Sequence, residues 1–255
     1  MNAFMVVIPA RFGASRFPGK PLAELAGEPM IRHVWRRAGE SGAARVVVAT
    51  DDARIHAVCE GFGAEVIMTR RDHRSGTDRL AEVVQTLAVA DDTVVVNLQG
   101  DEPLMPPAFI RRVAEELHVH SDADISTLVT PITRVDQLHD PNVVKVVRDG
   151  VGRAMYFSRA PIPWNRDAAG RPSGDLQGYW RHLGIYAYRA HFLRTYPELD
   201  SPLIEQWESL EQLRALWHGA TIITADVSGD AGPGVDSPDD LAAAAKVLRE
   251  SEAHL

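Results

Sequence analysis

The amino-acid sequence predicts an α/β protein: a mainly parallel sheet with flanking helices, carrying an inserted antiparallel β section. Three observations lead there. Short β-branched runs in the first hundred residues are apolar almost without a break, as strands covered on both faces must be. Helical apolar periodicity separates these runs, giving the strand–helix alternation of βαβ units with right-handed crossovers. After about residue 120 that rhythm yields to a hairpin signal and a long loop rich in Pro, Gly and Asp.

Taken in order, FMVVIPA at 4–10 reads as the first strand, and Met30, Ile31, Val34, Trp35 and Ala38 make one face of a first helix. RVVVAT at 45–50 is a strand, followed by a helix carrying Ile55, Val58, Cys59 and Phe62. EVIMT at 65–69, a helix with Leu80, Val83, Val84 and Leu87, and TVVVNLQG at 93–100 continue the pattern. The segment VVKVVRDGVGRAMYFSR then reads as two strands joined across Asp149-Gly150. Residues 161–178 read as a long loop, and RHLGIYAYR at 181–189 returns to strand character. A helix with Leu210, Leu213, Leu216 and Trp217 leads to the strand TIITADV, and a last helix starts near Ser237, with Pro238 in its first turn and Asp239 and Asp240 behind it. One domain is expected over 1–255, with an insertion at about 130–190 serving as substrate lid or dimer contact.

Composition narrows the function. Of 255 residues, 45% are apolar and 24% charged, the balance of a soluble globular chain. No run approaches the roughly 18 apolar residues of a membrane span. MNAFMVVIPA has no basic region before its short apolar stretch, so no signal peptide is expected. The single cysteine, Cys59, excludes an internal disulfide and a multi-cysteine metal site, and fits a reducing cytoplasm. A net charge of −8 argues against nucleic acid or an anionic membrane as partner. Against that acidity, Arg11, Arg16 and Lys20 lie within ten residues, with no acid until Glu24. Such a loop suits an anionic ligand or, equally on charge alone, plain solvation.

In open α/β sheets, ligands bind beyond the carboxyl ends of the strands. Three segments follow strands directly: PARFGASRFPGK, TDD and QGDEP. The first resembles a phosphate loop of the form GxxxxGK[S/T], but five residues separate Gly13 from Gly19, and Pro21 replaces the magnesium-binding hydroxyl. Gly13 and Gly19 still permit close backbone approach to phosphate, Arg11, Arg16 and Lys20 supply charge, and Ser15 supplies a hydroxyl. RSGTDR at 74–79 opens a helix, where Ser75 or Thr77 caps it or exposed backbone donors hold a base edge or a phosphate. Asp101 and Glu102 suit magnesium beside a phosphate loop. Asp236, after the glycines of GDAGPG, is a second ligand candidate or a helix cap. Ten histidines form no HExxH pattern or tight cluster, and no GxSxG exists, so zinc and serine hydrolysis lack support.

The set PARFGASRFPGKPL, VATDD, HRSGTDRLAEV, NLQGDEP, NVVKVV, YFSRAPIPW, RHLGIYAYR, LEQLR and GPGVDSPDDL resembles the 3-deoxy-manno-octulosonate cytidylyltransferase (CMP-Kdo synthetase) family, in order from residue 4 to about 241. The resemblance implies a nucleotide-diphospho-sugar transferase fold and transfer of CMP from CTP to the sugar acid Kdo, with magnesium as cofactor, in a cytoplasmic homodimer that feeds lipopolysaccharide assembly. It implies CTP along Ala10, Arg11, Ser15 and Lys20, with the segment Arg74, Ser75, Gly76 and Thr77 near cytosine. Relatives commonly carry glutamine where this chain has Arg74, which leaves backbone contacts in that segment. Asp101 and Asp236 are implied as magnesium ligands, with Lys20 and Arg11 completing the catalytic set. Gln99, Arg159, His182, Tyr186, Glu211 and Gln212 are implied around Kdo. Related cytidylyltransferases acting on 8-amino-Kdo or sialic acid, and a nucleotide sensor without chemistry, are the alternatives.

Overall fold

The structure, a computed structural model, describes residues 3–13, 17–166 and 176–252. The chain opens on β1 (Phe4–Ala10), and a 3-10 turn at Lys20–Leu22 leads to the two-stranded antiparallel ribbon of β2 (Glu24–Leu25) and β3 (Glu28–Pro29). Then come α1 (Met30–Glu40), β4 (Arg45–Thr50), α2 (Ala53–Gly61), β5 (Glu65–Met68), α3 (Gly76–Thr86), β6 (Val94–Asn97), α4 (Pro107–Val119) and β7 (Ile125–Pro131). A short α5 (Val135–His139) precedes β8 (Lys145–Arg148), β9 (Ala154–Ser158) and β10 (Trp180–Arg189). The chain closes through α6 (Ala190–Thr195), α7 (Leu203–Glu208), α8 (Gln212–Trp217), β11 (Ile222–Asp226) and α9 (Pro238–Glu252).

Among the described residues the main sheet runs in the order β11-β7-β10-β6-β1-β4-β5. β1 is parallel to both neighbours, with Val6 opposite Val46 and Val96. β10 enters antiparallel between β6 and β7, while β7 and β11 pair in parallel. The sheet is therefore mixed but mostly parallel, and helices cover both faces. Strand alternation explains the layers: Phe4, Val6 and Ile8 pack with Ile31 and Val34 of α1 and Val113 of α4, whereas Met5 and Val7 face Leu80, Val83 and Val84 of α3. Every residue of β1 is buried, which is why FMVVIPA reads as one apolar run rather than an alternation.

β7, ISTLVTP, is a buried strand absent from the sequence reading. Its hydroxyls interrupt the apolar pattern, yet the two buried ones are satisfied inside. Ser126 donates to the carbonyl of Val113 at 2.5 Å, and Thr127 bonds across to β10. α4 also went unread, although Phe109, Ile110, Val113, Ala114 and Leu117 give it a helical apolar stripe.

The antiparallel stretch has two settings. β8 and β9 pair across the turn at Asp149, whose carboxylate accepts from the backbone N–H groups of Val151 and Arg153, both at 2.9 Å. β8 also adjoins the first residues of β10, whose remainder runs inside the main sheet. Lys145 of β8 is fully buried and donates to the carbonyls of Asp140 at 2.9 Å, Val143 at 2.5 Å and Arg159 at 2.6 Å. It ties the segment before β8 to the residue after β9. Lys145→Met removes three hydrogen bonds, leaving the carbonyls of Val143 and Arg159 without this donor while that of Asp140 keeps the N–H of Val143 at 3.1 Å, and is expected to cost about 2–4 kcal/mol in urea unfolding. A change below about 0.5 kcal/mol would refute that role.

Candidate active site

The loops after β1 and β6 meet at the carboxyl edge of the sheet. A Cβ at Gly100 would lie 2.9 Å from the carbonyl oxygen of Pro9, so this approach needs glycine. The segment before α9 joins them: the N–H of Val235 donates to the carbonyl of Asp101 at 2.8 Å. Gly232, at φ +77°, lies so close to Leu104 that a Cβ would be 2.8 Å from that side chain. Val235 itself is buried with Leu25, Met30, Ala244 and Leu248, so packing of α9 on the β2 region sets where Asp236 stands.

These contacts bring Lys20, Asp101 and Asp236 to one point. Lys20 Nζ donates to Asp101 Oδ2 at 2.5 Å, to Asp236 Oδ1 at 3.0 Å and to the carbonyl of Val235 at 3.1 Å. Burial opposes the lysine charge, but the hydrogen bond and charge of Asp101, then those of Asp236, overcome it and raise the Lys20 pKa. The cap reading open for Asp236 is filled by its neighbour. Ser237 Oγ accepts from the N–H of Asp240, whose carboxylate accepts in return from the Ser237 N–H. Burial, reinforced by the charge of Asp101, pushes the Glu102 carboxyl up to about 8.

Two cavities adjoin here. One, of about 330 Å³, is lined by Ala10, Arg11, Lys20, Gln99, Asp101 and Asp236 among others. The second, of about 280 Å³, includes Gly76, Thr77, Tyr186, Glu211 and Gln212. Arg11 and Gln99 line both. In the second, Thr77 donates to Glu211 Oε2 at 3.2 Å. Glu211 is open to the cavity yet enclosed by protein on its other sides, and that burial raises its pKa against the lowering effects of Thr77 and Arg214. Arg214, the third residue of α8, holds Glu205 at 2.6 and 2.9 Å, fixing α8 on α7 and with it Glu211 and Gln212.

Other expected residues take different positions. Ser15 lies outside the described residues. The Ser75 hydroxyl is committed to a capping box with Asp78 at the start of α3. Arg74 borders another hollow, with Arg70, Asp78, Glu82 and Arg214. The Arg159 guanidinium is held by the carbonyls of Glu208 at 2.7 Å and Pro141 at 2.9 Å. His182 is buried beside Tyr186, with ring centroids 5.3 Å apart. The TDD segment is structural: Asp51 holds the buried Arg79 at 3.0 Å, and Asp52 caps α2.

The sequence reading missed Asn97, Tyr188 and Tyr196, all of which line the second cavity. Asn97 was legible as the last residue of β6 on the edge that carries Gln99, and Tyr188 as the residue two beyond Tyr186 on the same strand face. Tyr196 had no such signal, because a turn after α6 delivers it.

A basic loop, two carboxylates converging on one cation, and an adjoining pocket of hydroxyl and amide groups, all at the carboxyl edge of a mostly parallel sheet, are an arrangement suited to a nucleotidyltransferase. The cytidylyltransferase family model matches residues 5–222. A 3-deoxy-manno-octulosonate cytidylyltransferase of Halorhodospira halophila is 60% identical over 252 residues, covering 98% of both chains. One from Alkalilimnicola ehrlichii is 56% identical, covering 97% of this chain and 96% of its own. A solved structure of CMP:2-keto-3-deoxy-manno-octonic acid synthetase complexed with CTP superposes with a TM-score of 0.90 at 42% identity, over 98% of this chain and all of that one. The chain belongs to the cytidylyltransferases, and within them to the 3-deoxy-manno-octulosonate cytidylyltransferase family.

Proposed function

We propose that the chain transfers CMP from CTP to Kdo with release of pyrophosphate, for lipopolysaccharide assembly, with magnesium held by Asp101 and Asp236. The observation that carries this is the Lys20 ammonium, which both carboxylates hold at 2.5 and 3.0 Å. A single cation already sits between them, so the pair fits a metal in the same place. Carboxylate oxygens suit magnesium, which would complete its shell from triphosphate oxygens and water. When bound, magnesium neutralises charge spreading over the transferred phosphoryl group and the leaving pyrophosphate.

Ala10, Arg11, Ser15 and Lys20 are assigned to the triphosphate and ribose, and the Arg74–Thr77 segment to cytosine through its backbone. Gln99, Arg159, His182, Tyr186, Glu211 and Gln212 are assigned to the sugar acid, with Arg159 for its carboxylate. Arg11 and Gln99 border both cavities, which supports assigning them to the point where the two substrates would meet. There the anomeric hydroxyl oxygen attacks the α-phosphorus, a new P–O bond forms, the bond to pyrophosphate breaks in line, and the hydroxyl proton is released to water. The residues contribute by positioning and by charge, and no side chain is assigned as general base. We also infer a cytoplasmic homodimer. Exposed Trp207 on α7 and Trp217 on α8 supply apolar surface of the kind subunit contacts cover. Among the described residues, no helix is long and apolar enough to cross a membrane.

Pyrophosphate release measured with CTP, magnesium and Kdo, each omitted in turn, tests the reaction. Release that requires all three is expected. Release with another sugar acid but not Kdo would move the substrate, and silence with every acceptor from a protein that still binds CTP would overturn the reaction.

A further inference from the structure

Thr127 has no role in the site assigned above, yet its hydroxyl is shared among three buried partners behind that site. Fully buried on β7, its Oγ1 lies 2.9 Å from His182 Nε2, 3.1 Å from the carbonyl oxygen of Leu183 and 2.7 Å from that of Ile185. The three partners span an irregularity in the β7–β10 ladder, where Leu183 faces Leu128 but Tyr186 already faces Thr127. Gly184 and Ile185 thus stand outside the ladder, forming a bulge, a device that re-aims side chains at functional sites. His182 and Tyr186 flank this one.

A hydroxyl has one proton, and carbonyl oxygens only accept. With two carbonyls in reach, the Thr127 proton goes to them, the shorter contact being Ile185. The arrangement is complete when His182 Nε2 carries a proton and donates to Thr127. Otherwise three acceptors would face a single proton. The ring is further held by the edge of Phe157, with centroids 4.9 Å apart, and by Tyr186.

We propose that Thr127 is a positioning residue that holds His182 as the neutral Nε2–H tautomer, so that Nδ1 meets a hydroxyl of the sugar acid as an acceptor and not its carboxylate. A neutral ring agrees with burial, which pushes the His182 pKa down to about 3, with Arg181 adding to the effect. An imidazole that presents a lone pair repels a carboxylate and selects an O–H donor. This proposal rests on the reading that His182 meets the sugar acid.

The test pairs side-chain ¹⁵N NMR of the histidines with steady-state kinetics, on the wild type, Thr127→Ser and Thr127→Val. The wild-type His182 signature should be that of a neutral ring protonated on Nε2. Thr127→Ser should keep that signature and keep the KM for Kdo within about twofold. Thr127→Val should mix or reverse the tautomer and raise the KM for Kdo roughly tenfold, a loss of about 1.4 kcal/mol, while the KM for CTP stays within about twofold. A wild-type ring protonated on Nδ1, or a signature unmoved in Thr127→Val, would overturn the clamp, and the wild-type measurement needs no variant to fold. A changed tautomer with an unchanged KM for Kdo would instead overturn the contact between His182 and the sugar acid.

Discussion

Asp101→Asn is expected to lower magnesium-dependent pyrophosphate release by roughly 10³-fold while leaving the protein folded, and Asp236→Asn to do the same. Each substitution keeps the side-chain shape and removes one negative oxygen from the pair that holds a cation at 2.5 and 3.0 Å. Charge neutralisation by a bound metal is worth several kcal/mol in the transition state, and a loss of about 4 kcal/mol corresponds to that fold-change. The fold should survive because the backbone contact binding the two loops, Val235 N–H to Asp101 O, is untouched. Circular dichroism melting monitors the fold, and a discontinuous pyrophosphate assay monitors turnover. Near-normal turnover at saturating magnesium would refute the metal assignment.

Lys20→Gln should act in two opposite directions. In catalysis it removes a cation assigned to the triphosphate, and kcat/KM for CTP should fall about 10²- to 10³-fold, the usual scale for losing one charge-stabilising donor. Without nucleotide the same change removes the ammonium that Asp101 and Asp236 both hold. Binding of Mn²⁺ alone, followed by electron paramagnetic resonance, should therefore tighten, on the order of tenfold if about 1.4 kcal/mol of competition is relieved. Weaker or unchanged Mn²⁺ binding would show that the ammonium and the metal do not share a place.

Much of the architecture could be read from local pattern. β1, β4, β6 and β11 announced themselves because burial leaves little room for polar residues, whereas the partly exposed edge strand β5 did so by its β-branched run alone. β7 did not, since Ser126, Thr127 and Thr130 break its apolar run. Those at 126 and 127 are tolerated only because carbonyls on α4 and β10 receive their protons. The basic loop and NLQGDEP were legible as ligand-facing segments, because each directly follows a strand of a parallel sheet. TDD sits in the same topological position, yet its carboxylates serve Arg79 and the start of α2. Nothing within the tripeptide separates those outcomes, since the deciding partner, Arg79, is 28 residues away.

By itself, then, the sequence determined many of the strands and helices, β7 and α4 excepted, where positive charge concentrates against an acidic background, and which acids follow strand ends. These depend on neighbours along the chain, through backbone propensity and the periods of burial. Tertiary structure alone decided that Lys20 meets acids 81 and 216 residues further on, that Ser237 rather than Asp236 caps α9, and that one threonine hydroxyl orders His182. Convergence of distant side chains follows from how helices and loops pack on the sheet. A hydrogen bond a few tenths of an ångström too long, or a proton on the wrong nitrogen, leaves no trace in local pattern.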